Sequence, residues 1–127
     1  MMKKESFFAL IALFLAFTGC NSVKHVKCNE VDPLINLEWL RQKVADIEAK
    51  GAENSDAEIY RYMYYNRPVF YISGRCCDVP NEVFDCQGNK ICEPDGGVAG
   101  IGDGQCADFF SKREDGIHLY PPRNKKL

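Results

Sequence analysis

The chain has 127 residues, with 16 Lys and Arg against 18 Asp and Glu, for a formal net charge of −2 at pH 7. That length suits one domain, and the near-balanced charge offers no basic footprint for nucleic acid. The only basic cluster, Arg123, Lys125 and Lys126, reads as a solvated tail.

Lys3 and Lys4 give a positive start, residues 7–17 (FFALIALFLAF) are unbroken apolar, and Thr18, Gly19 and Cys20 follow at once. These are the three parts of a secretory signal. As a helix the run would reach only about 16 Å, about half of a bilayer core, too short for an ordinary transmembrane anchor. A small residue directly before a cysteine separates a lipoprotein signal from a plain one. Residues 16–20 (AFTGC) resemble the bacterial lipobox, with Phe17 where leucine is usual. The resemblance implies that the Cys20 thiol takes a diacylglyceryl group, that cleavage leaves Cys20 first, and that its amine receives a palmitate-type chain. A plain signal with a chance cysteine is the alternative. The expected division is a signal peptide at 1–19, a lipidated tether at 20–31, and a single small α+β domain at 32–127. The domain would be held on a membrane by lipid rather than cross it. Asn21 stands where lipoproteins kept in the inner membrane often carry aspartate, which favours the outer membrane.

Along the mature chain, Asp32-Pro33 and Asn36 are competing helix starts. Leu37, Leu40, Val44 and Ile47 recur at spacings of three and four, and Gly51 suits the position just past a C-terminus. The pattern predicts a helix over about 34–50. Residues 58–72 are rich in aromatic and β-branched side chains and favour strand. Tyr60, Tyr62 and Tyr64 share one face and Ile59 and Met63 the other. Asn66, Arg67 and Pro68 interrupt the run, so a β-hairpin is expected to turn near Asn66. Its tyrosine face serves either as core packing with cross-strand pairs or as a recognition surface. A second short hairpin is expected from 83–86 and 90–92. Five of the ten residues 95–104 are glycine, which predicts a compact loop. A last strand is expected over 117–120, ended by Pro121-Pro122.

The seven cysteines are Cys20, Cys28, Cys76, Cys77, Cys86, Cys92 and Cys106. Lipidation of Cys20 would leave an even number, which in an oxidising compartment points to a disulfide framework around a marginal core. Connectivity is open. Cys28 is expected to reach Cys76 or Cys77, and Cys86 and Cys92 lie where a bridge across the second hairpin is feasible. Neither a C-x-x-C redox pair nor a zinc spacing occurs.

Other chemistry is sparse. The glycine loop matches no phosphate-binding pattern. Asp95, Asp103 and Asp108, with Glu93, are weak calcium candidates at a spacing unlike the known loops, and aspartate beside glycine also makes turns. The two histidines, His25 and His118, lie in the tether and near the tail. No nucleophile or acid–base constellation stands out, and no cofactor is implied.

The segment 69–110 resembles a family of short, uncharacterised bacterial secreted proteins and lipoproteins, a domain of unknown function. The resemblance is carried by Val69-Phe70-Tyr71, Cys76-Cys77-Asp78, Asp85-Cys86, Ile91-Cys92, Pro94-Asp95-Gly96-Gly97, Gly100, Gly102-Asp103-Gly104, Cys106 and Asp108-Phe109. It implies an exported α+β domain and no particular activity.

The expected architecture is therefore a helix on a small antiparallel sheet, followed by a disulfide-stapled, glycine-rich C-terminal region. The expected role is a non-enzymatic binding module of the cell envelope with an envelope protein or ligand as partner. One version is an enzyme inhibitor acting through the loop at 78–82. The alternatives are a calcium-dependent structural protein and a thiol oxidoreductase.

Overall fold

The computed structural model describes residue 28 and residues 32–51, 56–74 and 78–123. The signal, most of the tether, His25, Cys20, Cys76 and Cys77 lie outside these residues.

The predicted helix is present but divided. A single turn, α1 (Pro33–Asn36), starts with Pro33 at its first position, and Leu37 then turns extended before α2 (Glu38–Ala49) begins. Leu37 is buried, and its carbonyl accepts from the N–H groups of Leu40 and Arg41. The break lets one apolar side chain reach the core while its backbone still starts the next helix. Neither Asp32 nor Leu37 offers a side-chain cap. Leu37, Leu40 and Ile47 are buried and Val44 packs beside them, as the spacing predicts. Gly51 adopts φ +55 immediately past the helix.

Strands β1 (Glu58–Tyr64) and β2 (Arg67–Ser73) pair antiparallel from Glu58↔Ser73 to Tyr64↔Arg67. The turn is the two residues Tyr65 and Asn66, at φ 47 and 59. Positive φ at both positions is the type I′ turn, whose twist matches the flanking strands. Arg67 and Pro68 do not break the run as expected; they open β2. Pro68 is tolerated because pairing of β2 with the next strand begins only at Phe70, so the proline interrupts no ladder there. Strands β3 (Glu82–Phe84) and β4 (Lys90–Cys92) form the second hairpin. Its loop is closed by the Asp85 carboxylate, which accepts from the backbone N–H groups of Gln87 and Asn89.

After the glycine loop come one further helical turn, α3 (Phe109–Lys112), and a final strand, β5 (Arg113–Tyr120). The last strand is longer than residues 117–120. It adds to the free edge of β1, giving one antiparallel sheet of order β4-β3-β2-β1-β5. Arg113, Glu114 and Asp115 then lie on an edge strand, where charge discourages pairing with another chain.

The sheet is covered on both faces, and the period-two alternation of β2 supplies both. Phe70 and Ile72 join the helix-side core with Leu37, Leu40, Ile47, Ile59 and Phe84. Val69 and Tyr71 join the opposite core with Val83, Cys92, Cys106 and Phe109. The chain is thus an α+β domain with the helix on one face and the C-terminal region on the other. The glycine loop is pinned rather than open. Asp103 N–H donates to the Glu93 carbonyl, and Gly102 sits at φ +68 where a Cβ would come within 1.9 Å of that same carbonyl oxygen. Among the described residues no helix is long and apolar enough to cross a membrane.

Candidate functional site

The period-two spacing of β1 puts Tyr60, Tyr62 and Tyr64 against the C-terminal core. Phe109 enters this layer from α3 and is fully buried at its centre. Its ring meets Tyr64 and Tyr71 at 5.4 Å each and Tyr62 at 5.9 Å. Phe110 follows at 5.3 Å from Phe109 and 5.8 Å from Tyr71. The Arg113 guanidinium, at the start of β5, lies 4.6 Å over Tyr62 and 4.7 Å over Phe110. Such cation–π contacts hold the cation while leaving its donors usable. The rim of this layer reaches solvent: Tyr65 is 62% and Phe110 43% exposed.

Three polar junctions fasten the tyrosines. Asp108, just before α3, accepts from the hydroxyls of Tyr64 at 2.6 Å and of Tyr65. Asp95 accepts from Tyr71 at 3.1 Å and from the side-chain amide of Asn81 at 3.0 Å. Glu58 accepts from Tyr60 at 3.0 Å and lies 3.7 Å from His118. Burial, then the bond to Asp108 and its charge, push the Tyr64 hydroxyl up to about 12. The Tyr71 hydroxyl is pushed up by burial first and Asp95 second. The bonds from Tyr64 and Tyr65 hold the Asp108 carboxyl below its ordinary value.

Tyr64 keeps its proton more tightly when folded, so its contribution is complete below pH 10 and is lost as pH rises through about 12. Asp108 contributes above its ordinary 3.8 and loses that contribution as pH falls through its lowered value. Ultraviolet titration of phenolate should therefore show a tyrosine ionising near pH 12 in the native chain. In Asp108→Asn that transition should move down toward 10; an unmoved transition would detach Tyr64 from Asp108.

The calcium candidates are not brought together. Asp95 and Asp108 serve different tyrosines, and Asp103 accepts from the N–H groups of Glu93 and Gln105, an Asx-type turn. Glu93 instead pairs with Lys90 at 2.6 Å. Among the described residues no group of three His, Cys, Asp or Glu is placed to hold a metal ion.

The disulfides correct the expected pairing. Cys28 bonds Cys86, with Cα atoms 5.6 Å apart, rather than Cys76 or Cys77. Cys92 bonds Cys106, with Cα atoms 6.0 Å apart, rather than Cys86. The reason is the sheet. Cys86 packs in the helix-side core and Cys92 in the opposite one, so the two point away from each other.

Of the residues that shape this face, Tyr60, Tyr62 and Tyr64 were legible from their alternation, and Tyr65, Phe110 and Arg113 were not. The doublet Phe109-Phe110 followed within a turn by arginine was the available signal. In the loop at 78–82, Asn81 is fastened to Asp95 through backbone and side chain, and Val79 stands half-exposed.

The fold and this face define a small, disulfide-stapled α+β domain with a tyrosine-lined sheet face. The family model described as a domain of unknown function, DUF6970, matches residues 45–120. The chain belongs to that family. Neither a curated protein nor a solved structure matches it.

Proposed function

We propose that the chain is a bacterial lipoprotein, exported, lipidated on Cys20, and held on the outer membrane as a non-enzymatic binding module for an envelope protein. The carrying observation is the exposed rim of Tyr65 and Phe110 around Arg113, mounted on a buried aromatic layer. Tyrosine and arginine are enriched among the residues that dominate the energetics of protein interfaces: tyrosine buries much area on two rotatable bonds, and arginine presents a planar fork of donors. The rigid sheet beneath spares the ordering cost of binding. The apolar run at 7–17 with Gly19-Cys20 after it supports the membrane anchor.

Two measurements test the two halves. Mass spectrometry of the native product should show an N-terminus at Cys20 carrying acyl chains, and Cys20→Ala should leave the membrane fraction; an unacylated N-terminus ends the anchor. A photo-crosslinking residue placed at 65 or 110 in living cells should give a discrete protein adduct that the same residue at 35 does not. Adducts at none of these, or equally at all three, would end the binding reading.

A further inference from the structure

On the opposite face of the domain from the tyrosine layer, α1, one face of α2 and the chain at the end of β5 form an open groove of about 280 Å³ lined by Leu34, Arg41, Val44, Glu48, Tyr120 and Pro122. Its floor is apolar, with Leu34, Val44 and Tyr120 packed on the helix-side core. Its charges are asymmetric. Arg41, Val44 and Glu48 share one helix face at spacings of three and four, which sets the cation and the carboxylate about 10 Å apart along the axis. Glu48 is already engaged by the Tyr120 hydroxyl, which burial and this carboxylate hold above its ordinary value. The guanidinium of Arg41, in contrast, makes no hydrogen bond or ion pair with any described residue.

We infer that this groove binds a small amphiphilic carboxylate, its head paired with Arg41 and its hydrocarbon tail laid over Val44 and Leu34 toward Pro122. Charge complementarity selects the head group. An anion is drawn to the Arg41 end and repelled from the Glu48 end, so it enters in one direction. A cation meets a carboxylate that already has a partner, and a neutral tail leaves the arginine unused. A fork-shaped guanidinium also suits two carboxylate oxygens at once. Size selects the tail. At about 30 Å³ of liquid volume per water the groove holds roughly nine water equivalents, which suits a chain of about eight carbons and not a membrane-length acyl chain. This site is independent of the tyrosine face and of the membrane anchor.

The test uses the intact chain in phosphatidylcholine nanodiscs, with protein-free nanodiscs to subtract partitioning. Octanoate, 1-octanol and octylamine are titrated while the methyl resonances of Leu34 and Val44 are followed. Octanoate should move both saturably, with a Kd on the order of 0.1–1 mM for a ligand of this size. Arg41→Gln should weaken it about tenfold, as for loss of a charged hydrogen bond, while Arg41→Lys retains most of the affinity. Val44→Trp, which fills the groove, should abolish the shifts and leave the rest of the spectrum folded. Octylamine should not saturate. Equal affinity for octanoate and 1-octanol, an unaffected Arg41→Gln variant, or no saturable shift at all would overturn the site.

Discussion

Replacing Cys28 and Cys86 together by alanine is expected to destabilise the domain by about 4 kcal/mol in the chain-entropy account of a disulfide. The bond spans 58 residues of sequence. It ties the segment before α1 to the end of the β3–β4 hairpin, across the whole helix and the first hairpin. Without it, the unfolded chain regains the freedom of that loop, and the native chain loses the brace on the hairpin that Trp39 contacts. The Trp39 indole N–H donates to the Cys86 carbonyl at 3.0 Å. In a domain whose total stability is about 5–15 kcal/mol, such a loss lowers the melting temperature on the order of 20 °C. The matching pair Cys92 and Cys106 is separated by only 14 residues, and its removal should cost about 3 kcal/mol on the same account. Denaturant unfolding of the two double variants in one buffer measures both. The expected order is the longer loop first. A larger loss from the shorter loop would mean that the buried position of Cys92 and Cys106, and not chain entropy, sets the value.

The two bonds also show where the sequence stopped being informative. Alternation along β1 and β2 assigned side chains to faces, because period two holds for any pleated strand. The helix was legible because Leu37, Leu40, Val44 and Ile47 keep one stripe whether or not the backbone breaks at Leu37. That same invariance hid the break. Pairing of cysteines depends on which face of the sheet each sulfur occupies. Cys86 follows a three-residue strand and Cys92 ends another, too short to show alternation, and their opposite orientations became evident only in the folded sheet. The start of β5 was hidden for a different reason. Arg113, Glu114, Asp115 and Gly116 lack apolar alternation because the strand lies on the edge, with Glu114 and Asp115 exposed and the Arg113 guanidinium laid over the aromatic layer. Gly116 reads as a turn residue, yet its role is close approach: a Cβ there would come within 2.5 Å of the Tyr62 ring. The tyrosine face was legible as a stripe, whereas the residues that finish it, Phe110 in the single turn α3 and Arg113 at the start of β5, lie where no apolar periodicity marks them.

Truncating Phe109 to alanine is expected to cost about 3–5 kcal/mol, the range for a large aromatic removed from a closed core. The ring is wholly buried and meets four aromatic neighbours within 6 Å. Each such pair contributes about 0.5–1.5 kcal/mol beyond the area it buries. The four residues of α3 are far too few to hold a helix in isolation, so the turn depends on tertiary contacts, of which this buried ring is the central apolar one. Asp108 precedes it and Arg113 follows it directly. When the anchor goes, the carboxylate that takes the Tyr64 and Tyr65 hydroxyls and the guanidinium that covers Tyr62 lose their placement together. The Tyr64 ionisation should accordingly fall from about 12 toward its ordinary 10, which a phenolate titration reads below the unfolding transition. Phe110→Ala is the control. That ring is partly exposed and lies at the rim, so about 1 kcal/mol is expected, with the Tyr64 ionisation unchanged. Equal losses from the two variants, or an unmoved Tyr64 in Phe109→Ala, would mean that the aromatic layer is held by β1 and β2 alone and that the C-terminal turn merely rests on it.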